Sequence, residues 1–179
     1  VMLLSENNIM DAFNENSFSA KNIRQIEIYN SFLFWLDNIG NLYAKHLIIN
    51  QRIGNIIKFY YIGDNLVTAL LFDETVIEFN ILDDSSTRLV MSNIIDMYIY
   101  EDNISVFLDR SGNVYIKGHV WNTFYKKYIN PDYFFEVKHY VGVNTPLQIL
   151  ELVNIIAIYV DGERLVTMDK DHKVKILNL

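Results

Sequence analysis

The sequence contains no cysteine, only 2 prolines and only 7 glycines among its 179 residues. The lack of cysteine excludes disulfides, thiol catalysis and cysteine-bound zinc. No apolar run approaches the roughly 18 residues of a membrane-spanning helix. The N-terminus shows no basic start followed by an apolar stretch, so no secretory signal is visible. These absences predict a protein without a membrane span, located in the cytoplasm, the nucleus or a virion.

The residues that are abundant favour a folded β protein. Hydrophobic residues make up 51% of the chain, aromatic residues 14% and charged residues 21%. Isoleucine and the aromatic residues favour strands. The net charge of −7 argues against a generic binder of DNA phosphates, which needs a basic face. The heavy use of isoleucine and asparagine is typical of an AT-rich genome, so a viral protein or virion component is one expectation.

A sequence motif recurs along the chain. Its copies are Phe32–His46, Ser105–His119 and Leu165–Ile176, with a weaker copy at Val67–Phe79. Each copy carries an aspartate, and these are Asp37, Asp73, Asp109 and Asp169. The first three lie 36 residues apart and the last follows after 60. Such a period indicates a repeat architecture.

Each copy predicts a β-hairpin. An apolar strand runs into aspartate, whose side chain can accept a hydrogen bond from the backbone two residues on. Gly40 and Gly112 then supply a position that tolerates positive φ, and a second strand follows. A further strand lies in front, for example Asn93–Tyr100. Sheets of this size bury both faces only by stacking. We therefore expect an all-β, propeller-like fold of about four units, each with three to four antiparallel strands.

Two stretches resemble the repeat of the regulator of chromosome condensation family. In Leu108–Gly118 a strand ending in Leu-x-x-x-Gly is followed by Val-Tyr and a second glycine. Thr145–Leu177 opens on a proline-led strand, as that family's unit does. The resemblance implies that each unit is a propeller blade; no functional residue is carried over with it. Four units could close into a small ring, leave an open arc or form half of a dimeric ring.

The chain divides into an N-terminal segment, residues 1–22, and a single repeat domain, residues 23–179. Met2–Leu4 is a candidate strand to complete the last blade, and residues 5–22 are expected to be loop or a short helix. Asp83–Thr87 is expected to be a solvated loop between units. An insertion at about residues 120–144 accounts for the longer last step.

The insertion is aromatic and partly basic. Trp121, Phe124, Tyr125 and Tyr128 follow the i, i+3, i+4, i+7 spacing of one helix face, and Pro131 would end that helix. Tyr133–Val143 then reads as a strand. Three interpretations remain open: a structural element, either an extra blade piece or a cap whose aromatic residues cover the core; a partner-binding element; or a stacking surface for nucleic acid.

No catalytic motif, phosphate loop or metal-ligand spacing stands out, so we predict no catalytic residue, cofactor or metal. The preferred interpretation is a non-catalytic protein–protein interaction module or scaffold, capable of forming homo-oligomers, whose protein partner the sequence does not name. The alternative is a nucleic-acid-associated packaging protein. The candidate partner-binding residues are Trp121, Phe124, Tyr125, Lys126, Lys127 and Tyr128.

Overall fold

The computed structural model consists of antiparallel sheets in the part of the chain that it describes, with one short helix. The described residues are 2–5, 8–11, 17–19, 22–29, 32–44, 47–48, 55–100, 104–134 and 140–179. Their strands form five sheets, and in each sheet every strand pairs with its neighbour in the sequence. The predicted all-β fold of successive antiparallel units is confirmed.

The N-terminal sheet consists of β1 (Met2–Ser5), β2 (Asn8–Asp11) and β3 (Ser17–Ser19). The next sheet, blade 1, consists of β4 (Ile23–Tyr29), β5 (Phe32–Asp37), β6 (Leu42–Ala44) and β7 (Leu47–Ile48). Blade 2 consists of β8 (Ile56–Tyr61), β9 (Leu66–Leu71), β10 (Val76–Asn80) and β11 (Asp83–Met91). Blade 3 consists of β12 (Ile94–Tyr100), β13 (Ile104–Asp109), β14 (Val114–Trp121) and β15 (Tyr140–Gln148), with helix α1 (Asn122–Tyr128) between its last two strands. Blade 4 consists of β16 (Ile155–Asp161), β17 (Arg164–Asp169) and β18 (Val174–Asn178).

The N-terminal segment differs from the expectation. Strand β1 pairs with β2, placing Leu3 opposite Met10, so Met2–Leu4 does not complete blade 4. Strands β2 and β3 also replace the expected loop or short helix. Pairing strands close in sequence closes a far shorter loop than pairing β1 with β18, and costs less entropy. The division of the chain at residue 22 stays a prediction.

The cores lie between successive blades. Phe34 of blade 1 and Phe59 of blade 2 are both fully buried, with ring centroids 6.4 Å apart. Phe107 of blade 3 packs in a cluster with Leu70 of blade 2. Between blades 3 and 4, the cluster includes the buried Ile158. In blades 2 and 3, alternate residues of a strand therefore face the blade before and the blade after, as the period of a strand requires.

Each of the four blades begins with the dipeptide Asn-Ile. The asparagines are Asn22, Asn55, Asn93 and Asn154. Their carbonyl oxygens accept hydrogen bonds from backbone amides in the turn between the second and third strands of the same blade, with lengths of 2.8–3.1 Å. Three of the four have a left-handed backbone, with φ of 57°, 61° and 58°, a conformation that asparagine tolerates better than most residues. In every blade a register shift follows the isoleucine.

The predicted aspartate turns are present, but one copy of the repeat was aligned wrongly. The amides of Asp37, Asp109 and Asp169 donate to the carbonyl four residues on, over 3.0–3.1 Å. In blade 2 that bond is made by Leu71 and not by Asp73. Asp73 instead lies inside the turn, where its Oδ1 accepts from Thr75 N at 3.1 Å. In the second unit, therefore, the residue equivalent to Asp37 and Asp109 is Leu71, two residues before the aspartate that the even spacing predicts.

Neighbouring blades approach each other closely at Gly40 and Gly112 in these turns. Their carbonyl oxygens accept hydrogen bonds from Ile56 N at 3.1 Å and Ile155 N at 3.0 Å, each in the next blade. Both have positive φ, 90° and 85°. A Cβ on Gly40 would lie 2.7 Å from Ile56 N, and a Cβ on Gly112 would lie 2.9 Å from Ile155 N. Glycine is needed here for both space and conformation.

The carboxylate of Asp109 holds its turn together. Its oxygens accept from Asn113 N at 2.8 Å, Asn113 Nδ2 at 2.9 Å and the Tyr115 hydroxyl at 3.1 Å. Burial of the carboxyl raises its pKa, but these hydrogen bonds and one from the Ser111 backbone outweigh burial. The pKa of Asp109 is therefore lowered from its ordinary value.

This lowered pKa predicts a pH-dependent contribution to stability. The contribution is present above the unfolded-state pKa of about 3.9 and is lost as the pH falls through the lower folded-state value. We expect Asp109→Asn to lower the free energy of unfolding by about 1–2 kcal/mol at pH 7, and by less below pH of about 4. Urea denaturation across this range measures the difference. Exposed Asp132→Asn is the control, and a pH-independent loss in Asp109→Asn would contradict the assignment.

Candidate partner-binding site

The insertion is part of blade 3 and not an additional blade. It leaves the sheet at Trp121 and returns at Tyr140, which pair directly in the ladder and have ring centroids 4.2 Å apart. The helix predicted from the aromatic spacing is confirmed as α1, and Pro131 follows its end. The predicted strand over Tyr133–Val143 agrees with the structure from Tyr140 to Val143, and the observed strand continues to Gln148. Tyr133 and Phe134 are not in a strand, residues 135–139 lie outside the described residues, and β15 starts at Tyr140.

The aromatic side of α1 faces the core. Phe124 is 2% exposed and Tyr128 is 9% exposed; their ring centroids lie 5.0 Å apart. Trp121 and Tyr125 are partly buried against the same cluster, and Tyr125 meets the edge of Tyr133 at 4.9 Å. The four aromatic candidates are therefore brought together. Burial of Phe124 and Tyr128 indicates that these two anchor the helix.

The basic side of α1 faces solvent. Lys126 and Lys127 are exposed and, with Thr123 and Pro131, line a shallow depression of about 460 Å³. Both lysines lie in the last turn of the helix, where the helix dipole favours positive charge. The structure thus divides the six candidate residues into an aromatic side that packs on the core and a basic side that is exposed to solvent.

Two lysine side chains, those of Lys127 and Lys175, lie close to the ring of Tyr128. Lys127 Nζ lies 4.8 Å from the centroid of the Tyr128 ring, and Lys175 Nζ lies 5.5 Å from it. A hydrogen bond with Tyr128 raises the pKa of Lys127. Lys175 also forms an ion pair with Glu151 at 3.0 Å. Lys127 therefore stays fully charged at neutral pH.

A second polar cluster, which sequence reasoning missed, joins the first strands of the blades. The side-chain amide of Gln25 exchanges two hydrogen bonds with the backbone of Phe59, at 2.6 and 3.1 Å. Lys58 pairs with Asp96 at 3.0 Å and lies 3.5 Å from the centroid of the Tyr98 ring. Gln25, Lys58 and Asp96 all follow the register shift after Asn-Ile, so that dipeptide was the signal that could have revealed them.

Aromatic hydroxyls continue this cluster. Burial raises the pKa of Tyr60 strongly, and the neighbouring Tyr98, Glu27, Asp96 and Tyr159 raise it further. The rings of Tyr98 and Tyr159 meet edge to face at 5.5 Å, linking blade 3 to blade 4. A phenol with a raised pKa stays protonated and serves as a hydrogen-bond donor. Lys58 and Asp96 pair with each other and Gln25 with the Phe59 backbone, which is the pattern of a structural contact between blades.

Two further observations concern the described residues only. No group of three or more His, Cys, Asp or Glu side chains is placed there to hold a metal ion. No helix there is long and apolar enough to cross a membrane.

Comparisons with known proteins identify the fold. No protein-family model matches the chain, and no curated protein does. Solved structures do match: the C-terminal WD40 domain of Sif2 has a TM-score of 0.61 at 12% identity, over 99% of this chain and 54% of that one. Prp20p from Saccharomyces cerevisiae, the yeast RCC1, has a TM-score of 0.59 at 14% identity, over 89% and 46%. The computationally designed Ika4 protein has a TM-score of 0.52 at 14% identity, over 88% and 91%.

These matches define the class as a β-propeller-like repeat protein. The predicted resemblance to regulator of chromosome condensation repeats is confirmed at the level of structure, at low sequence identity. The chain spans about half the length of Sif2 and Prp20 in these structures.

Proposed function

We propose that the protein is a non-catalytic scaffold that binds another protein through the basic side of α1. The observation that carries this proposal is the division of α1 into two sides. The buried Phe124 and Tyr128 hold the helix on the core, while Lys126 and Lys127 are displayed around an open depression. A helix already fixed on the core suits docking, because its backbone needs no further ordering when a partner binds.

The chemistry of this side favours an acidic partner segment. The two lysines supply positive charge locally on a chain whose net charge is −7, so an acidic segment would be attracted here and repelled elsewhere. Phe134, 81% exposed and adjacent to Tyr133, adds an aromatic contact of the kind that binding hot spots use. Prp20 has been crystallised with Kap60 bound, which supports a protein partner in general terms.

The test compares capture of proteins from the source cells by immobilised variants. We expect at least one protein to bind the wild-type chain and to bind Lys126→Glu/Lys127→Glu about tenfold less, a loss of about 1.4 kcal/mol. The control is Lys170→Glu/Lys173→Glu, which reverses two exposed lysines in a turn of blade 4. Equal capture by the wild-type chain and both variants would contradict the proposal.

The nucleic-acid alternative stays a prediction and has its own measurement. If it holds, single-stranded DNA binds at about 50 mM salt, binding falls steeply as salt rises, and the Lys126→Glu/Lys127→Glu variant binds more weakly. The absence of binding at that salt concentration ends the alternative. A viral or virion setting, and a cytoplasmic or nuclear location, stay predictions in the same way.

A further inference from the structure

Two partly buried ion pairs cross from blade 2 to blade 3. Lys58 Nζ lies 3.0 Å from Asp96 Oδ1, and these side chains are 22% and 33% exposed. Lys117 Nζ lies 2.6 Å from Glu78 Oε1, and these side chains are 21% and 13% exposed. Charges that are partly withdrawn from water attract each other more strongly than surface charges and are screened less by salt. Both pairs therefore hold the two blades together.

The carboxylate of Glu78 receives two cations. Besides Lys117 of blade 3, Arg88 of the neighbouring strand β11 lies 2.6 Å from it. Burial of the Glu78 carboxyl raises its pKa, but the hydrogen bonds and positive charges of Lys117 and Arg88 outweigh burial, and the pKa is lowered. Glu78 is therefore charged at neutral pH, where its attraction for blade 3 is fully present.

The turn of blade 2 adds a third ion pair, at a position where glycine is favoured. Glu74 occupies the place that Gly40 and Gly112 hold in blades 1 and 3, and its φ is 66°. A left-handed backbone is unfavourable for glutamate. The Glu74 carboxylate pairs with Arg110 in the turn of blade 3, whose Nε donates to it at 3.0 Å. Glutamate here makes a charged contact to the next blade that glycine could not make.

Apolar packing between blades 2 and 3 is less extensive than between the other neighbouring blades. Among the described residues, the cluster that joins blades 1 and 2 contains ten buried hydrophobic residues. The cluster that joins blade 3, α1 and blade 4 contains sixteen. The cluster that joins blades 2 and 3 contains five, which are Leu70, Val76, Ile94, Met97 and Phe107. Because hydrophobic stabilisation grows with the apolar area buried, this interface depends more heavily on its ion pairs.

We propose that the interface between blades 2 and 3 is an electrostatic hinge, at which the chain opens when the carboxylate charges of Glu74, Glu78 and Asp96 are removed. The N-terminal half, blades 1 and 2, and the C-terminal half, blades 3 and 4, then change their relative orientation while each keeps its own core closed. Movement of two packed units about one interface is a common form of conformational change. None of the hinge residues belongs to α1, so this proposal is tested independently of the proposed scaffold function.

Pairs of spin labels at equivalent turn positions can report on each interface separately. The chain contains no cysteine, so labels attach only at introduced cysteines. Ile39, Asp73, Ser111 and Asp171 are exposed and occupy the same position in the turns of blades 1 to 4. Cysteines at residues 39 and 73 report on blades 1 and 2, those at 73 and 111 on blades 2 and 3, and those at 111 and 171 on blades 3 and 4. Electron paramagnetic resonance measures the dipolar coupling of each pair in the whole chain.

The test variant is Glu74→Gln/Glu78→Gln/Asp96→Asn, which removes the three negative charges and nearly preserves the shape of each side chain. We expect loss of dipolar coupling between the labels at residues 73 and 111. Coupling between 39 and 73, and between 111 and 171, should match that of the wild-type chain.

The control variant is Glu151→Gln/Asp161→Asn/Glu163→Gln, which makes the same change of charge at three exposed residues. The ion pairs of Glu151 and Asp161 are with Lys175 and Arg164, away from the hinge. All three label pairs should keep their coupling in this variant.

Raising the salt concentration gives a second measurement that needs no charge substitution. At about 1 M salt the screening length falls to about 3 Å, so the labels at residues 73 and 111 in the otherwise wild-type chain should lose coupling before the other two pairs do. Unchanged coupling between 73 and 111, both in the test variant and at high salt, would overturn the proposal. Simultaneous loss at all three pairs would also overturn it, because the chain would then unfold as one unit.

Discussion

Replacing Gly112 with alanine is expected to lower the free energy of unfolding by about 3 kcal/mol or more, among the larger effects of a single substitution. The left-handed backbone alone costs a non-glycine residue about 1–2 kcal/mol. The new Cβ would also lie 2.9 Å from both Asn154 Cα and Ile155 N. These are backbone atoms of blade 4, so relief requires blades 3 and 4 to move apart and open the core between them.

Gly162→Ala is the matched control, because it separates the two costs. Gly162 also has positive φ, 60°, but a Cβ there would meet nothing within 4 Å. We expect Gly162→Ala to lower the free energy of unfolding only by the cost of the left-handed backbone, about 1–2 kcal/mol. Urea denaturation followed by circular dichroism measures both variants. If both variants lose the same free energy of unfolding, the close approach of the blades at Gly112 does not contribute to the cost of the substitution.

Truncating Phe124 to alanine is expected to cost about 3 kcal/mol of stability, within the range measured for buried phenylalanines. The side chain is 2% exposed and packs with Tyr128 in the cluster between blades 3 and 4. Its removal leaves a cavity beneath α1 that the sheet cannot fill. The result decides whether this aromatic residue supports the core or binds a partner, as the sequence analysis allowed.

Phe134→Ala makes the same chemical change at a residue 81% exposed. We expect it to alter the free energy of unfolding by less than about 0.5 kcal/mol, while weakening capture of the acidic partner. Thermal and urea denaturation of the two variants give the comparison. A Phe124→Ala protein as stable as the wild type would mean that α1 is not anchored through this ring.

The sequence was sufficient for the hairpins, because each depends on local chemistry. Asp109 and Gly112 are close in the chain, and their turn follows from side-chain hydrogen bonding and permitted φ. The helix was predictable for a similar reason, since aromatic residues at helical spacing precede Pro131. The candidate site was predicted only as a segment. Which side of α1 faces the core depends on blade 4, whose position the local pattern does not specify.

Two predictions from the sequence are wrong for the same reason. Both depended on the type of the residue, whereas the structure depends on the hydrogen bonds that its backbone makes. Asp73 was aligned with Asp37 and Asp109 because all three are aspartates, yet Leu71 holds the equivalent place. The polar stretch Asp83–Thr87 was expected to be loop, but it begins strand β11. Strand β11 is an edge strand of blade 2, and natural sheets commonly carry polar and charged residues on their edge strands.

The backbone hydrogen bonds between blades affect how far the sequences of the repeats can diverge. Ile56, Ile94 and Ile155 each donate a backbone amide to a turn carbonyl of the preceding blade, at 2.9–3.1 Å. Because donor and acceptor are both main chain, the bond does not require one particular side chain where the acceptor residue adopts a positive φ, as Glu74 does at 66°. The acceptor residue is glycine in blades 1 and 3 but Glu74 in blade 2. Duplicated units joined in this way can lose nearly all likeness in sequence while their assembly persists, which is how a familiar architecture becomes invisible to sequence comparison.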